Sequence, residues 1–168
     1  MINESISNLS NVASLLWHAY KSLPEPSNSV NWAGTSQPSN PPPLSPYASK
    51  ISGFYTLDSS SPADQLILGP FQGKVACQTI RFGRGVCGTA AATQETQLVA
   101  DVEEFPGHIA CDSESKSEIV VPIIVESDAG KKVVAIIDID CAVVNGFDEV
   151  DTRYLSELAE LLAKSCDW

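Results

Sequence analysis

Residues 69–122 read GPFQGKVACQTIRFGRGVCGTAAATQETQLVADVEEFPGHIACDSESKSEIVVP and hold three of the chain's five cysteines, Cys77, Cys87 and Cys111. Glycines and polar residues separate these three thiols, whereas a cysteine of a protein core usually lies inside an apolar run. Cys141, in the apolar segment DIDCAVV, is of that second kind. The three cysteines of 69–122 are therefore the candidates for chemistry.

The length and composition of the chain predict a single domain that spans 1–168. A chain of this length buries about two-thirds of its unfolded surface when it folds. The formal net charge is −11, and Lys and Arg together number ten. Such a balance disfavours binding to the phosphates of nucleic acid and to an anionic membrane surface. We therefore expect neither nucleic acid nor membrane as a partner.

The number of cysteines and the lengths of the apolar runs indicate the cellular compartment in which the protein is expected. No apolar run approaches 18 residues, and the N-terminus lacks the basic-then-apolar pattern of a secretion signal. An odd number of cysteines in such a chain indicates reduced thiols, so any disulfide is expected to be transient or catalytic. The predicted location is the cytoplasm, with the nucleus as a further location left open.

Two segments precede this cysteine-bearing stretch. Residues 4–21 are predicted to form an amphipathic helix, because apolar residues recur there at helical spacing. These residues are Ile6, Leu9, Val12, Leu16 and Ala19. From 24 to 52 the chain is rich in proline, serine and asparagine and has no apolar period, which predicts an irregular loop of polyproline character. A proline-rich docking ligand is the alternative interpretation of this second segment.

The remaining segments predict an α+β fold. GFYTL and QLILGPF are typical of a β-hairpin, and SEIVVPIIV and KKVVAIIDID of two longer strands joined at SDAG. QLVADV is predicted as a further strand and TAAATQET as a short helix. Asp148 and Asp151 resemble an N-cap pair at the start of a terminal amphipathic helix. This order predicts one mostly antiparallel sheet with helices packed on one face.

Three carboxylates are expected on one face of the two long strands. Side chains alternate along a strand, so Asp138 and Asp140 share a face, which Glu118 on the neighbouring strand can join. Carboxylates in such a cluster repel one another, so at least one is expected to have a raised pKa and to keep a proton that it can donate. Spacing alone leaves two alternatives open, a solvated sheet face and a Ca²⁺ or Mg²⁺ site.

The cysteines also allow a zinc interpretation. His108 and Cys111 are spaced H-x-x-C, and Cys77 and Cys87 would complete a Cys₃His set. Against a zinc site, nine residues separate Cys77 from Cys87 and no C-x-x-C is present. Cys87 follows a glycine turn and is expected near the N-terminus of the short helix, where the pKa of a thiol is depressed.

The motifs GPFQGKVAC, GRGVCGTAA, PGHIACD, SEIVVP and DID, with the spacing Cys-x9-Cys-x23-Cys, resemble the free methionine-(R)-sulfoxide reductases. These are small enzymes built on a GAF domain. The resemblance implies a six-stranded antiparallel GAF sheet and cytosolic reduction of free L-methionine-(R)-sulfoxide. It also implies thioredoxin as the reductant, with NADPH acting through thioredoxin reductase, and no bound cofactor or metal. A homodimer is left open.

The resemblance carries functional roles to individual positions. Cys111 matches the attacking nucleophile and Cys77 its resolving partner, while Cys87 matches a third cysteine, taken as a second resolving or alternative catalytic thiol. Three carboxylates match those that hold the substrate ammonium and polarise the sulfoxide oxygen: Glu118, Asp138 and Asp140. Two aromatic residues match those that enclose the methyl end of the substrate: Trp32 and Tyr55.

One segment departs from the family pattern. The family's first strand reads N-W-x-G-F-Y without a break, whereas here NWAG and GFY are separated by an insert, 35–53, that duplicates the glycine. The insert is either a tolerated loop or translated intron sequence, and we expect it to be exposed and poorly ordered. The rival to an enzyme is a non-catalytic GAF module that binds a ligand or senses redox state. A ligand-sensing GAF domain needs neither the three cysteines nor the carboxylates, and GAF architecture alone does not imply catalysis.

Overall fold

The structure is a computed structural model that describes residues 4–23, 52–61, 64–72, 76–109, 113–128 and 130–168. Within these ranges the chain forms three helices, α1 (Glu4–Ser22), α2 (Gly85–Thr93) and α3 (Glu149–Ser165). The same ranges contain six strands: β1 (Ser52–Leu57), β2 (Gln65–Gln72), β3 (Thr79–Arg81), β4 (Gln97–Val99), β5 (Ser117–Ser127) and β6 (Gly130–Cys141). None of the described helices is both long and apolar enough to cross a bilayer.

The described strands form one antiparallel sheet in the order β3-β2-β1-β6-β5-β4. The two predicted hairpins are confirmed: β1 pairs with β2, and β5 pairs with β6. In the β5–β6 ladder Glu118 lies opposite Asp140, and Val120 lies opposite Asp138. The α+β class and the six-stranded sheet are thus confirmed, and the long hairpin lies inside the sheet because β4 and β1 flank it. The strand predicted at QLVADV is shorter than expected, and β3 was not predicted as a strand.

The sheet is covered on both faces. On one face α3 packs against β5 and α1 packs against β1 and β2, and their apolar residues join one core around Ile119 and Ile137. On the other face α2 packs against Tyr55, Val120 and Ile136. The expectation that helices lie on one face therefore holds for α1 and α3, while α2 differs. The reason is that the central strands are apolar on both sides, so each side needs a cover.

The start of α3 confirms the predicted N-cap pair. The carboxylate of Asp148 accepts hydrogen bonds from the backbone N–H groups of Val150 at 2.7 Å and Asp151 at 3.3 Å. The carboxylate of Asp151 accepts one from the backbone N–H of Asp148 at 2.9 Å, which completes a capping box. The hydroxyl of Tyr20 also donates to Asp151, at 2.8 Å, and so joins α1 to the first turn of α3.

The buried side of α1 differs from the predicted stripe. Leu9, Ala13 and Tyr20 are buried, whereas Ile6 and Ala19 of the predicted stripe are exposed. The hydrogen bond from Tyr20 to Asp151 of α3 helps to set the rotation of α1 about its axis. The sequence of α1 alone cannot predict this bond, because the partner lies on another helix. The apolar period therefore predicts the helix correctly and its buried edge only in part.

β1 starts at a point of close backbone approach. Gly53 pairs with Phe71 on β2 and with Asp138 on β6. A Cβ atom at Gly53 would come within 2.5 Å of the Phe71 Cβ, so a glycine is required at this position. Ser52 and Gly53 are the last two residues of the 35–53 insert. Residues 35–51 lie outside the described residues, so the expected exposure of the insert stays a prediction.

Candidate active site

A cavity of about 270 Å³ lies on the α2 face of the sheet. Five of the predicted site residues line it: Cys77, Cys87, Glu118, Asp138 and Asp140. Two others, Cys111 and Trp32, lie outside the described residues. Tyr55 is buried in β1 beside the cluster and does not belong to the described lining. The structure thus gathers residues that are more than sixty positions apart in the sequence.

The carboxylates are held by the most regular part of the sheet. Glu118 on β5 and Asp140 on β6 are direct cross-strand neighbours, and Asp138 lies one pleat further along the same face. Glu118 and Asp138 are each only 6 % exposed, although they are acidic. Buried carboxylates lose their hydration, which penalises the charged form and favours protonation.

Burial and mutual repulsion raise the proton affinity of this pair. Burial first, and then the charges of Asp138 and Asp140, raise the pKa of Glu118 well above its usual range. Burial raises the pKa of Asp138 to about 6, although hydrogen bonds from Cys87 and Glu118 oppose this rise. The raised pKa of Glu118 favours its protonated form, so this pair of carboxyls is suited to hold a proton that it can donate.

Cys87 is located in the first turn of α2 as predicted, but its ionisation was predicted wrongly. The thiol is buried, and its Sγ donates a hydrogen bond to Glu118 Oε1 at 3.5 Å. Burial, followed by the charges of Asp138 and Glu118, raises the pKa of Cys87 well above its usual range. The helix N-terminus favours a thiolate, but loss of water and adjacent carboxylates outweigh it.

Cys77 takes part in a disulfide. Cys87, Cys141 and Cys166 are outside any disulfide. The Cys₃His zinc interpretation does not fit this state, because a disulfide sulfur cannot serve as a thiolate ligand. His108 lies instead with its Nε2 3.9 Å from Glu118 Oε2, and burial lowers its pKa, which favours neutral imidazole.

Tyr55 lies behind the carboxylates. The residue is 1 % exposed, and burial followed by the charge of Asp138 raises the pKa of its hydroxyl far above the usual range. The phenol is therefore neutral at every physiological pH. It forms an apolar wall beside the acidic cluster, together with Val120 and Ile136.

Two buried polar atoms in the described part of the chain have no hydrogen-bond partner, namely Ser115 Oγ and Asp138 Oδ1. Both residues line the cavity. A buried polar atom without a partner costs about 1–3 kcal/mol, and native proteins contain few of them. Both atoms are therefore placed to bind a polar group in the cavity, from water or from a ligand.

The sequence analysis missed the basic side of the cavity. Arg81 on β3 and Arg84, the N-cap residue of α2, both line it and are exposed. Over the described residues, no side chain caps this helix end and no acidic residue occupies its first turn. A helix N-terminus with nearby arginines attracts an anion. The only available signal was two arginines flanking FG in an otherwise acidic chain.

The cavity between a short helix and the face of a six-stranded antiparallel sheet is the arrangement of a GAF domain, and the GAF domain family model matches residues 47–165. A free methionine-R-sulfoxide reductase of Saccharomyces cerevisiae is 54 % identical over 161 residues, which cover 96 % of this chain and 75 % of that protein. The chain belongs to the free methionine-(R)-sulfoxide reductase family.

Two further relatives support this membership. A free methionine-R-sulfoxide reductase of Escherichia coli is 46 % identical over 112 residues, which cover 67 % of this chain and 63 % of that protein. A crystal structure of the free methionine-R-sulfoxide reductase of Neisseria meningitidis in complex with its substrate superposes with a TM-score of 0.71. That structure is 38 % identical, and the superposition covers 95 % of this chain and 76 % of the other.

Proposed function

We propose that this protein reduces free L-methionine-(R)-sulfoxide to methionine, using Cys111 as the nucleophile and Cys77 as the resolving thiol. The observation that carries the proposal is one cavity that combines a disulfide-forming cysteine with a buried, proton-storing pair of carboxyls. Family membership supports the substrate class. The assignment of Cys111 rests on its place in the motif PGHIACD, since this residue lies outside the described residues.

The cavity suits a free amino acid because its two sides carry opposite charge. Asp138 and Asp140 offer negative charge to an ammonium group on the sheet side. Arg84 and the N-terminus of α2 offer positive charge to a carboxylate on the helix side. A methionine sulfoxide inside a peptide has neither charge at its α-carbon substituents, so this arrangement supports selection of the free amino acid.

Thiolate attack needs a proton for the sulfoxide oxygen. The Cys111 sulfur bonds to the sulfoxide sulfur, and a carboxyl with a raised pKa protonates the oxygen. Glu118 has this role in our proposal, because its pKa is raised well above the usual range. The oxygen then moves from the substrate sulfur to the Cys111 sulfur as the transient sulfur–sulfur bond and the sulfoxide bond break. The substrate sulfur gains two electrons and leaves as methionine, while Cys111 is oxidised to a sulfenic acid that carries the transferred oxygen.

The resolving step then forms a disulfide. The Cys77 thiolate attacks the sulfenic sulfur, and the oxygen leaves with a proton as water. In support of this pairing, Cys77 is disulfide-bonded in the structure while Cys87, Cys141 and Cys166 are not. Cys87, with its raised pKa, is a hydrogen-bond donor to Glu118 rather than a thiolate in this state.

The cycle closes by thiol–disulfide exchange with an external dithiol protein, for which we propose thioredoxin, itself reduced by NADPH through thioredoxin reductase. We further propose that 1–168 acts as one domain with the 35–53 insert outside the site. The homodimer that the sequence leaves open is tested by sedimentation equilibrium, where a mass near 17.9 kDa would exclude it.

The decisive experiment follows thioredoxin-coupled NADPH oxidation with four substrates, namely the (R) and (S) epimers of methionine sulfoxide, each free and peptide-bound. Turnover of the free (R) epimer alone is expected. Turnover of a peptide-bound substrate would contradict the two-sided charge recognition. No turnover of any epimer, with thioredoxin or with dithiothreitol, would favour the non-catalytic GAF module.

A further inference from the structure

Cys87, Glu118 and Asp138 form a compact cluster with a chemistry beyond proton transfer. One ligand atom from each residue, the thiol sulfur and two carboxylate oxygens, lies within 4.8 Å of the other two. All three side chains are buried, and all three line the cavity. The thiol of this cluster is outside any disulfide in the structure, whereas Cys77 is disulfide-bonded. The cluster therefore persists in the oxidised protein.

The separation of two ligand atoms in the cluster matches tetrahedral zinc. Bonds of about 2.3 Å to sulfur and about 2.0–2.2 Å to a carboxylate oxygen, at a tetrahedral angle, hold the two ligand atoms about 3.5–3.7 Å apart. Cys87 Sγ and Glu118 Oε1 lie 3.5 Å apart. A zinc ion thus fits between these two atoms without moving either residue, once both have released their protons.

One oxygen of Asp138 supplies a second observation that points to a ligand at the cluster. Its Oδ1 is fully buried and has no hydrogen-bond partner among the described residues, while the side chain lines the cavity. A buried carboxylate oxygen in that condition needs a cation or a donor. A metal ion held by three protein ligands keeps a fourth position for water, and the cavity beside the cluster has room for one.

The ligand types select the class of metal. A thiolate prefers soft or borderline ions such as Zn²⁺ and Cd²⁺ over Mg²⁺ and Ca²⁺, which prefer oxygen ligands only. One thiolate and two carboxylates carry three negative charges, so the site with a bound divalent ion has a net charge of −1. The imidazole of His108 lies 3.9 Å from the second oxygen of Glu118 and is available to steady that carboxylate.

We propose that Cys87, Glu118 and Asp138 form a three-ligand site for Zn²⁺, and that zinc and the sulfoxide substrate exclude each other from the cavity. The competition rests on the proposed function, because it assumes that the substrate uses Glu118 and Asp138. Zinc binding itself does not rest on that function. Such a site would make the enzyme sensitive to free zinc in its oxidised as well as its reduced form.

The test uses the full chain in its oxidised form, where Cys77 cannot ligate a metal. Thiol counting after unfolding should find the three remaining thiols, those of Cys87, Cys141 and Cys166. Equilibrium dialysis with Zn²⁺ alone measures affinity, and Co²⁺ alone reports thiolate ligation through a charge-transfer band in the near ultraviolet. Cys87→Ser is expected to abolish that band and to lower zinc affinity at least about 10-fold.

Two variants complete the design. Asp138→Asn should also lower zinc affinity at least about 10-fold while keeping the cobalt–thiolate band, which separates loss of a ligand from loss of the fold. Cys166→Ser, at the C-terminal end of α3 and away from the cavity, should behave as the parent protein. Equal zinc affinity in Cys87→Ser and Cys166→Ser would overturn the site.

Competition is measured by calorimetric titration of the oxidised protein with free methionine-(R)-sulfoxide, which binds there without turnover. Zn²⁺ at a concentration just sufficient to saturate the parent protein should weaken this binding in the parent and weaken it much less in Cys87→Ser. Unchanged sulfoxide binding in zinc-loaded parent protein would overturn the competition. Absence of sulfoxide binding even without zinc would instead count against the proposed function and leave the zinc measurements intact.

Discussion

Asp138 is expected to lower the stability of the protein, and Asp138→Asn should raise it. The pKa of Asp138 rises in the folded protein from its usual 3.8 to about 6, mainly because the carboxyl is buried. Each tenfold change in proton affinity corresponds to about 1.4 kcal/mol, so ionised Asp138 destabilises the folded state by about 3 kcal/mol above pH 6. Replacing it with a neutral isostere removes this penalty at the expense of activity.

The sign of the pH dependence follows from the direction of the shift. Because the pKa of Asp138 is raised on folding, its favourable contribution is complete below pH 3.8 and is lost as the pH rises through about 6. The parent protein should therefore lose stability between about pH 4 and pH 6.5 through this carboxyl. Asp138→Asn should show a smaller loss over the same interval, and its unfolding free energy at pH 7.5 should exceed that of the parent by about 2–3 kcal/mol.

Urea unfolding, followed by circular dichroism at pH 4.5 and pH 7.5, measures both effects on oxidised protein. Glu104→Gln is the matched control, because it also neutralises one acidic side chain but at an exposed position. Its stability should follow the parent at both pH values. If Asp138→Asn is no more stable than the parent at pH 7.5, burial of the ionised Asp138 carboxylate does not destabilise the folded protein as proposed.

Five further changes test the proposed roles of individual residues and of the insert. Cys111→Ser should abolish reduction of the free (R) epimer even with dithiothreitol, and retained turnover would move the nucleophile elsewhere. Glu118→Gln should lower kcat about 10²-fold or more, whereas Asp140→Asn should mainly raise KM; the reverse pattern would exchange their roles. Arg84→Gln should raise KM with little change in kcat, and an unaffected KM would remove it from carboxylate recognition. Deleting 35–53 should raise stability, unless the segment is structural and the deletion variant unfolds.

The expected success of that deletion depends on Gly53. Its position admits only a glycine, since a Cβ there would collide with Phe71. The sequence NWAG ends in Gly34, so joining it to Phe54 places a glycine where Gly53 now lies. Changing Gly34 to Ala in the deletion variant should therefore cancel the gain in stability, while the same change in the full chain should leave stability nearly unchanged.

Local patterns in the sequence predicted the long elements well. The alternation of side chains in β5 and β6 predicted that the three carboxylates share a face. The pair Asp148 and Asp151 predicted where α3 begins. Both predictions succeeded because each depends on residues only a few positions apart. β3 has only three residues, and one buried residue between two exposed ones is too short a pattern to predict a strand, so its pairing with β2 is visible only in the folded sheet. Short elements of this kind owe their form to neighbours that are distant in sequence.

The pKa of Cys87 also could not be predicted from its neighbours in the sequence. Helix position alone predicted a low pKa for Cys87, because only its neighbours along α2 were known. The carboxylates that raise its pKa come from β5 and β6, which follow it by thirty residues and more. Arg84 was overlooked for a related reason: a surface arginine beside a turn has no feature that marks it until the cavity next to it is known.

The division of the sheet into two differently covered faces has a consequence for how this protein can change over evolution. The face under α1 and α3 holds a continuous apolar core, while the face under α2 holds the thiol and the carboxyls. Substitutions that repack the first face can accumulate without altering the chemistry, and a gain of stability there can offset destabilising changes around Glu118 and Asp138. The protein can therefore tune its reactivity on one side of a single sheet and adapt to temperature on the other.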